Sequence, residues 1–189
     1  MDEELDVAAR RLVARAELDD PDVTDLVRAV AAEAGGALVG LDDRIKELDS
    51  VKRKLSDMIA RQPGLTPAEA AERLFDVLRF TVVSDAGSYM AVRDAVLATL
   101  QQRNVTVVEE RNRWRGPGYR GINVRLITRD HRRFEFQFHT PESYAANKAT
   151  RGQYEELRLG TTSVQRVTEL AAAIEATFGE VPVPPGAVS

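Results

Sequence analysis

The chain has 189 residues, of which 43% are hydrophobic and 30% charged, so it can form a core and is not a disordered chain. The absence of cysteine and the presence of only two histidines argue against a disulfide framework and against a thiolate or histidine-rich metal centre. No apolar run approaches the roughly 18 residues that a membrane span needs. Because the acidic N-terminus lacks a signal-peptide core, we expect a cytoplasmic protein without a membrane partner, although a piece of a longer chain would look the same.

The net charge of −4 argues against general nucleic-acid binding, but the charge is unevenly distributed. Residues 103–133 contain nine arginines and three acidic residues, whereas the rest of the chain is acidic. This basic segment predicts either a focused anion site or a solvated arginine face.

Two helices are predicted at the N-terminus. Apolar residues at helical spacing predict the first over residues 3–18. Asp20-Pro21 has the pattern of an N-cap followed by proline at the first helical position, and it predicts a second helix that ends at Gly35-Gly36. Together they form a predicted helical extension over residues 1–38, which serves oligomerisation, partner binding or core completion.

The main domain is predicted over residues 39–180 and begins with two further helices. Ser50 is placed to cap a helix that ends before Pro63. Thr66 then begins a capping box with proline at the first helical position, which predicts a short helix up to Phe75.

Four strands are predicted from apolar, β-branched or alternating patterns. They cover residues 76–83, 105–108, 122–126 and 134–139. A helix over residues 87–102 joins the first two strands, and a turn at residues 116–118 precedes the third. Two helices are expected after the last strand, one from Thr140-Pro141 onward and one from Thr161 or Thr162 to Gly179, before a flexible tail over residues 181–189. This order indicates an α+β fold with a mixed sheet of four or five strands covered by helices.

Residues 134–139 carry the most informative pattern. Strand periodicity sends three phenylalanines to one face and three polar side chains, Glu135, Gln137 and His139, to the other. A carboxylate on the non-core face of a strand can bind a metal or deprotonate a sugar hydroxyl. The alternative is an ordinary exposed strand face.

Three other segments combine residues that suit phosphate chemistry. Basic side chains between Arg44 and Lys54 can hold a polyphosphate at a helix start, or form a solvated turn. Asp76 opens the apolar strand and can hold Mg²⁺ at a sheet edge, or only bond neighbouring amides. Residues 112–120 join glycines to arginines, with Trp114 or Tyr119 able to stack on a nucleobase, or form a hairpin loop with solvent-side aromatics.

Taken in order, these motifs resemble the synthetase domain of the RelA/SpoT family of alarmone synthetases. The family's Arg-x-Lys-x-x-x-Ser-x-x-x-Lys stretch is matched by residues 44–54, and its strand that opens with a metal-binding aspartate resembles residues 76–79. Its basic loop ending in Gly-Tyr resembles residues 115–119, and its Glu-x-Gln-x-Arg-Thr strand resembles residues 135–140. The resemblance spans roughly residues 40–158.

The resemblance implies a nucleotidyltransferase-like fold and a Mg²⁺-dependent enzyme that moves the β,γ-pyrophosphate of ATP onto the 3′-hydroxyl of a purine nucleotide. It implies that Asp76 and Glu135 bind the metal, with Glu135 also a candidate base. The residues implied for ATP phosphates are Arg44, Lys46, Ser50, Lys54 and Arg79. Those implied for the acceptor are Arg113, Arg115, Tyr119, Asn123, Gln137 and His139. In-line positioning and neutralised charge are what phosphoryl transfer needs.

The chain departs from the family pattern on the acceptor side. After Gly118-Tyr119 the family usually continues with Ser or a near equivalent, an apolar residue and His, whereas Arg120-Gly121-Ile122-Asn123 stands here. His139 replaces the family's strand arginine. The acceptor therefore stays open among GDP, GTP, ADP and ATP. The residues after Phe138 resemble the toxin-like branch, which implies a possible antitoxin or immunity partner and leaves a secreted-toxin origin open.

Two alternatives to nucleotide pyrophosphorylation remain. The basic segment leaves open the 3′ end of tRNA as acceptor, and His139 with Asn123 leaves open a catalytically silent nucleotide-binding or interaction module. With two histidines the chain cannot build the hydrolase site of long family members, so an enzyme of this kind would only synthesise. On the helix after the last strand, a further set of residues either adds anion contacts or is solvated surface: Lys148, Arg151, Tyr154 and Glu155.

Overall fold

The first element of the computed structural model, which describes residues 2–157 and 161–188, is a helix of 32 residues, α1 (Asp2–Glu33). The prediction of two helices here is wrong, because Pro21 lies inside α1. The buried stripe runs on both sides of the proline, through Ala9, Val23 and Val30. Packing of this stripe offsets the backbone hydrogen bond that proline removes.

Within the residues that the structure describes, five further α-helices and five strands follow. The helices are α2 (Leu48–Arg61), α3 (Pro67–Glu72), α4 (Tyr89–Gln102), α5 (Pro141–Leu157) and α6 (Val164–Gly179). The strands are β1 (Ala37–Val39), β2 (Arg79–Val83), β3 (Thr106–Asn112), β4 (Ile122–Ile127) and β5 (Arg133–His139). The expected α+β fold is therefore confirmed.

Several boundaries differ from the predicted ones. Helix α2 has Glu47 at its N-cap, so Ser50 lies in the first turn, and Ser163 rather than Thr161 or Thr162 caps α6. Strand β1 was not predicted because it has only three residues, and it becomes a strand by pairing antiparallel with β2. Strand β3 extends to Asn112 because β4 pairs with its charged half.

The five strands form one mixed sheet in the order β1-β2-β5-β4-β3. Strands β2 and β5 are parallel, and the other neighbours are antiparallel. The register places Arg79 of β2 and Arg125 of β4 on either side of Glu135, and Asn123 beside Gln137. The predicted alternation of β5 is confirmed, with its phenylalanines in the main core.

Both faces of β5 are buried, although one of them is polar. Glu135, Gln137 and His139 are no more than 9% exposed, so the alternative of an ordinary exposed strand face is wrong. Helix α4 packs against β3 and β5, and α5 packs against β5 and α6. A buried row of polar groups in the middle of a sheet is costly unless each group is paired, which marks this face as a candidate site.

Both chain ends take part in the packing. Helix α1 contacts α2, α3 and α4 and contributes to the same core. The last described residues were expected to be loose, but Val181, Pro184 and Ala187 are buried, and the Asn112 side chain donates to the Ala187 carbonyl at 2.7 Å. Among the described residues, no helix combines the length and the apolar character that crossing a bilayer requires.

Candidate active site

Two carboxylates from distant parts of the sequence meet at the parallel pair of strands. Asp76 lies three residues before β2, and Glu135 is the β5 residue paired with Arg79. The Glu135 amide donates to the Leu78 carbonyl at 2.9 Å, which ties β5 to the segment that follows Asp76. Asp76 is 8% and Glu135 9% exposed, so both lie in a largely water-excluded environment.

The basic segment predicted for ATP phosphates is docked beside Asp76 by its backbone. The Lys46 amide donates to the Val77 carbonyl and the Arg79 amide to the Arg44 carbonyl, both at 2.8 Å. This pairing brings Lys46 Nζ to 3.4 Å from Asp76 Oδ2, while Lys54 Nζ, from α2, lies 2.5 Å from the same oxygen. Two predicted phosphate ligands therefore converge on the predicted metal ligand.

The environments of the two carboxylates push their pKa values in opposite directions. Burial would raise the pKa of Asp76, but Lys54 and Lys46 outweigh burial and lower it to about 2. Burial and the negative charge of Asp76 raise the pKa of Glu135, although Gln137 opposes this by donating a hydrogen bond to Oε1 at 2.7 Å. Asp76 is thus held ionised, whereas Glu135 binds a proton more readily than an ordinary glutamate.

Arg79 supplies a third cation to the site. Its guanidinium favours the ionised forms of Asp76 and Glu135 and disfavours a charge on His139. Among the described residues, it has no hydrogen-bond or ion-pair partner, and it is half-buried. An uncommitted guanidinium beside two carboxylates is well placed to bind a phosphate that arrives with a substrate.

The donor set fits a hard divalent cation. Within the described residues, no group of three or more His, Cys, Asp or Glu side chains could hold a metal, so the protein would supply the two carboxylates alone. Mg²⁺ commonly binds through one or two carboxylates and takes its remaining ligands from water and substrate phosphates. A cation between Asp76 and Glu135 would also relieve the repulsion that raises the Glu135 pKa.

Arg44 and Ser50 lie in the predicted segment but are engaged elsewhere. Arg44 donates two hydrogen bonds to Asp20 of α1, from Nε at 2.6 Å and from Nη2 at 2.7 Å. Ser50 accepts a hydrogen bond from Arg53 at 3.1 Å. Both roles in ATP binding stay predictions, and in this structure Arg44 joins the segment between β1 and α2 to α1.

The glycine-rich loop presents one of its two aromatic candidates to the site. Trp114 is 1% exposed and its Nε1 donates to the Tyr89 hydroxyl at 3.0 Å, so the alternative of a loop with two solvent-side aromatics is wrong for Trp114, and its buried ring is not available for stacking. Tyr119 is partly exposed, and its ring packs against His139 and Phe178. Arg113 is exposed, while Arg115 is exposed and donates from Nε to the Val188 carbonyl at 3.1 Å.

Two further acceptor candidates, Asn123 and His139, form a hydrogen-bonded group around the Tyr119 hydroxyl, whereas Gln137 donates to Glu135. This hydroxyl donates to Asn123 Oδ1 at 2.7 Å and lies 2.9 Å from His139 Nε2. The other imidazole nitrogen, Nδ1, lies 2.9 Å from Ser143 Oγ. Ser143 was missed by the sequence analysis, although the Thr140-Pro141-Glu142-Ser143 spacing is that of a helix cap in which Ser143 can reach back to Thr140.

The outer basic residues are mostly neutralised by nearby acids. Most arginines in residues 103–133 form ion pairs with acidic side chains: Arg103, Arg111, Arg125, Arg132 and Arg133. On α5, Lys148 and Arg151 are exposed and pair with Asp43, and Arg151 also contacts Glu155. The basic segment is therefore largely a set of surface ion pairs, and its focused part is the loop around Tyr119.

Comparisons with known proteins agree with the fold. No protein-family model and no curated protein matches the sequence. Among solved structures, small alarmone synthetase 1 from Bacillus subtilis has a TM-score of 0.62 at 14% identity, covering 90% of this chain and 90% of that chain. A GTP pyrophosphokinase family protein from Streptococcus pneumoniae has a TM-score of 0.60 at 16% identity, covering 90% and 91%.

A third similar structure is a chain in the complex between the type VI effector Tas1 and its immunity protein, with a TM-score of 0.53 at 19% identity, covering 90% and 94%. The chain thus has the fold of small alarmone synthetases, which confirms the resemblance to RelA/SpoT synthetase domains at the level of fold. At these identities the similarity carries no residue roles, which depend on the geometry described above.

Proposed function

We propose that this chain is an ATP:nucleotide 3′-pyrophosphokinase that makes (p)ppGpp or (p)ppApp. The observation that carries the proposal is the burial of Asp76 and Glu135 in one site, beside Lys46, Lys54 and Arg79. The shared fold supports it, because solved structures with this fold include a small alarmone synthetase bound to its product pppGpp.

In the proposed reaction, the 3′-oxygen of the acceptor attacks the β-phosphorus of ATP, the bond between that phosphorus and the α,β-bridging oxygen breaks, and AMP leaves. Glu135 takes the proton of the 3′-hydroxyl, because Lys54 and Lys46 hold Asp76 ionised whereas burial disfavours the charge on Glu135. Bound Mg²⁺, held by Asp76 and Glu135, would supply neutralisation of phosphate charge.

The cations have distinct tasks in this scheme. Arg79 can bind a phosphate without breaking an existing hydrogen bond or ion pair among the described residues. Lys54 is 40% exposed, so its ammonium can move from Asp76 to a phosphate while staying near the carboxylate. Lys46 is more buried and holds Asp76 ionised, since opposite charge at short range favours the charged form.

The test uses purified protein with labelled ATP, MgCl₂ and each of GDP, GTP, ADP and ATP as acceptor. We expect AMP and a nucleotide carrying a 3′-pyrophosphate, and loss of turnover in Glu135→Gln and Asp76→Asn with the fold intact. Arg166→Gln, which breaks an exposed ion pair between α6 and Glu156 of α5, is the control and should leave turnover unchanged. Inertness of the wild type with all four nucleotides and with tRNA would refute the proposal.

The alternatives receive less support. The arginines that motivated a tRNA acceptor are mostly paired with acids, so binding to tRNA at low salt should be weak. A silent module has no need of two buried carboxylates with opposed pKa shifts. Because Tas1 is found in complex with an immunity protein, we extend the proposal to a toxin that acts on cytosolic nucleotides and is bound by an inhibitory partner protein.

A further inference from the structure

Three of the residues at which the chain departs from the expected motifs on the acceptor side gather around one atom, the Tyr119 hydroxyl oxygen. Asn123 Oδ1 lies 2.7 Å from it and His139 Nε2 lies 2.9 Å from it. A Cβ added to Gly121 would stand 3.0 Å from the same oxygen and 3.1 Å from the imidazole. The absence of a side chain at residue 121 therefore lets Tyr119 and His139 approach each other.

His139 is fully buried and is held from both sides of its ring. Ser143 Oγ lies 2.9 Å from Nδ1 and also accepts the Thr140 amide at 3.0 Å, so the start of α5 fixes the imidazole. Burial, with Arg79 nearby, lowers the pKa of His139 to about 4, which keeps the ring neutral in ordinary buffers. A neutral imidazole has one donor and one acceptor nitrogen, and here each has a hydroxyl partner.

The hydrogen bonds can run in one direction through the whole group. Ser143 donates to Nδ1 of the imidazole, Nε2 donates to the Tyr119 oxygen, and the Tyr119 hydroxyl donates to Asn123. In this arrangement both imidazole nitrogens, the Tyr119 hydroxyl and the Asn123 side-chain oxygen have hydrogen-bond partners, and these bonds oppose outward rotation of the phenol. Tyr119 as a residue is half-buried, so it remains partly accessible at the loop.

We propose that His139 is a positioning residue for the acceptor: with Asn123 and Ser143 it holds the Tyr119 hydroxyl inside the protein, so that the ring presents a fixed surface to the acceptor base. This inference rests on the proposed function and deepens it. It assigns His139 no contact with the reacting atoms. We call Tyr119, Asn123, His139 and Ser143 the clamp. The inference also explains Gly121, because the clamp needs a residue without a side chain there.

The steady-state test compares His139→Asn, His139→Gln, Tyr119→Phe and the double variant His139→Asn/Tyr119→Phe. Asparagine keeps an atom near the Nδ1 position but is too short to reach Tyr119, whereas the longer glutamine can place an amide near the Nε2 position. We expect His139→Asn to raise the acceptor KM about tenfold, with the KM for ATP within about twofold of wild type. His139→Gln should recover part of this loss.

The double variant decides whether His139 acts through Tyr119. If it does, the acceptor KM of the double variant equals that of the worse single variant, because both changes remove the same hydrogen bond. Tyr144→Phe is the matched control, since Tyr144 contacts the His139 ring but makes no hydrogen bond to it among the described residues. Additive effects, or an equal rise in the KM for ATP, would overturn the inference.

A second readout needs neither nucleotide nor turnover. The chain has two histidines, so ¹⁵N imidazole spectra contain two ring systems, which a His131→Gln variant distinguishes. Tyr119→Phe should shift the His139 ring nitrogens and Tyr144→Phe should not. Unshifted signals overturn the clamp even if His139→Asn fails to fold. If Tyr119→Phe shifts the His139 signals but the wild type turns over no acceptor, the proposed function is refuted instead, and with it the role of His139 in acceptor binding.

Discussion

The Arg44–Asp20 ion pair is expected to stabilise the fold rather than only to prepare a binding site. Arg44 Nε and Nη2 contact the two carboxylate oxygens of Asp20, and Thr24 donates to Oδ1 at 2.8 Å. The pair links α1 to the segment that also carries Lys46. Arg44→Gln keeps most of the aliphatic stem but removes the charge and the bidentate geometry. Among the described residues, Thr24 is then the side-chain hydrogen-bond donor left to Asp20.

The size of the effect follows from burial. The Asp20 side chain is 12% exposed and that of Arg44 is 31% exposed, which places the pair between two limits. Exposed pairs contribute about 0–1 kcal/mol, and breaking a buried pair costs about 3–5 kcal/mol. We expect a loss of about 2 kcal/mol, which is a shift of roughly 1 M in the urea midpoint for a chain of this size.

The assay is urea unfolding of the wild type, Arg44→Gln, Asp20→Asn and the double variant at neutral pH. The coupling free energy should be at least about 1 kcal/mol. Arg44 lowers the pKa of Asp20, so the pair contributes its full stabilisation above the ordinary aspartate pKa. The coupling free energy should therefore fall as the pH drops through the lowered pKa and Asp20 becomes protonated. Arg166→Gln is the control, since its pair with Glu156 is equally bidentate but exposed. Equal midpoint shifts for both arginines, or no coupling to Asp20, would refute this reasoning.

Three further predictions concern the pH profile, Gly121 and Trp114. Because the pKa of Glu135 is raised in the metal-free site and a cation binds the ionised carboxylate, the MgCl₂ concentration that gives half-maximal turnover should rise as the pH falls, beginning above the pH at which an ordinary glutamate is protonated. Glu135→Asp should move that onset, and an onset at the ordinary position would contradict the assigned role. Gly121→Ala should raise the acceptor KM, because its Cβ would stand 3.0 Å from the Phe138 carbonyl, whereas Gly87→Ala, with nothing within 4 Å, should not; equal effects would count against the clamp. Trp114→Phe removes the indole donor to the Tyr89 hydroxyl and should lower the free energy of unfolding, measured in urea, by about 1–2 kcal/mol. A higher acceptor KM without this loss of stability would instead indicate that Trp114 stacks on the acceptor base.

The features that follow from local periodicity could be predicted from the sequence. The alternation of β5 predicted which of its residues face the core. Apolar content identified β2 except at its start, where Asp76, Val77 and Leu78 lie outside the strand. The fusion of two predicted helices into α1 could not be predicted, since the choice between a capping and an interior proline depends on what packs against both sides. Strand β1 likewise depends on a partner that is 42 or more residues away in sequence.

The side-chain partners in the site were less predictable than the motifs. Charge spacing identified the basic segment but could not distinguish Lys54, which reaches Asp76, from Arg44, which turns to a carboxylate on α1. Burial of Trp114 and the contact of His139 with Ser143 depend on how α4 and α5 pack. Such choices are made by long-range packing, on which local patterns carry no information.

The different roles of Asp76 and Glu135 follow from their surroundings rather than from their chemistry. Both are buried carboxylates at adjacent strands, yet two ammonium groups neutralise Asp76 while Glu135 has an amide and a like charge as neighbours. Environments that push two pKa values apart separate an ion that stays charged from a group that exchanges a proton. Exchanging the two side chains, as Asp76→Glu with Glu135→Asp, should therefore not preserve turnover. The surroundings of each position set the pKa of its carboxylate, and the length of each side chain sets where that carboxylate lies in the site.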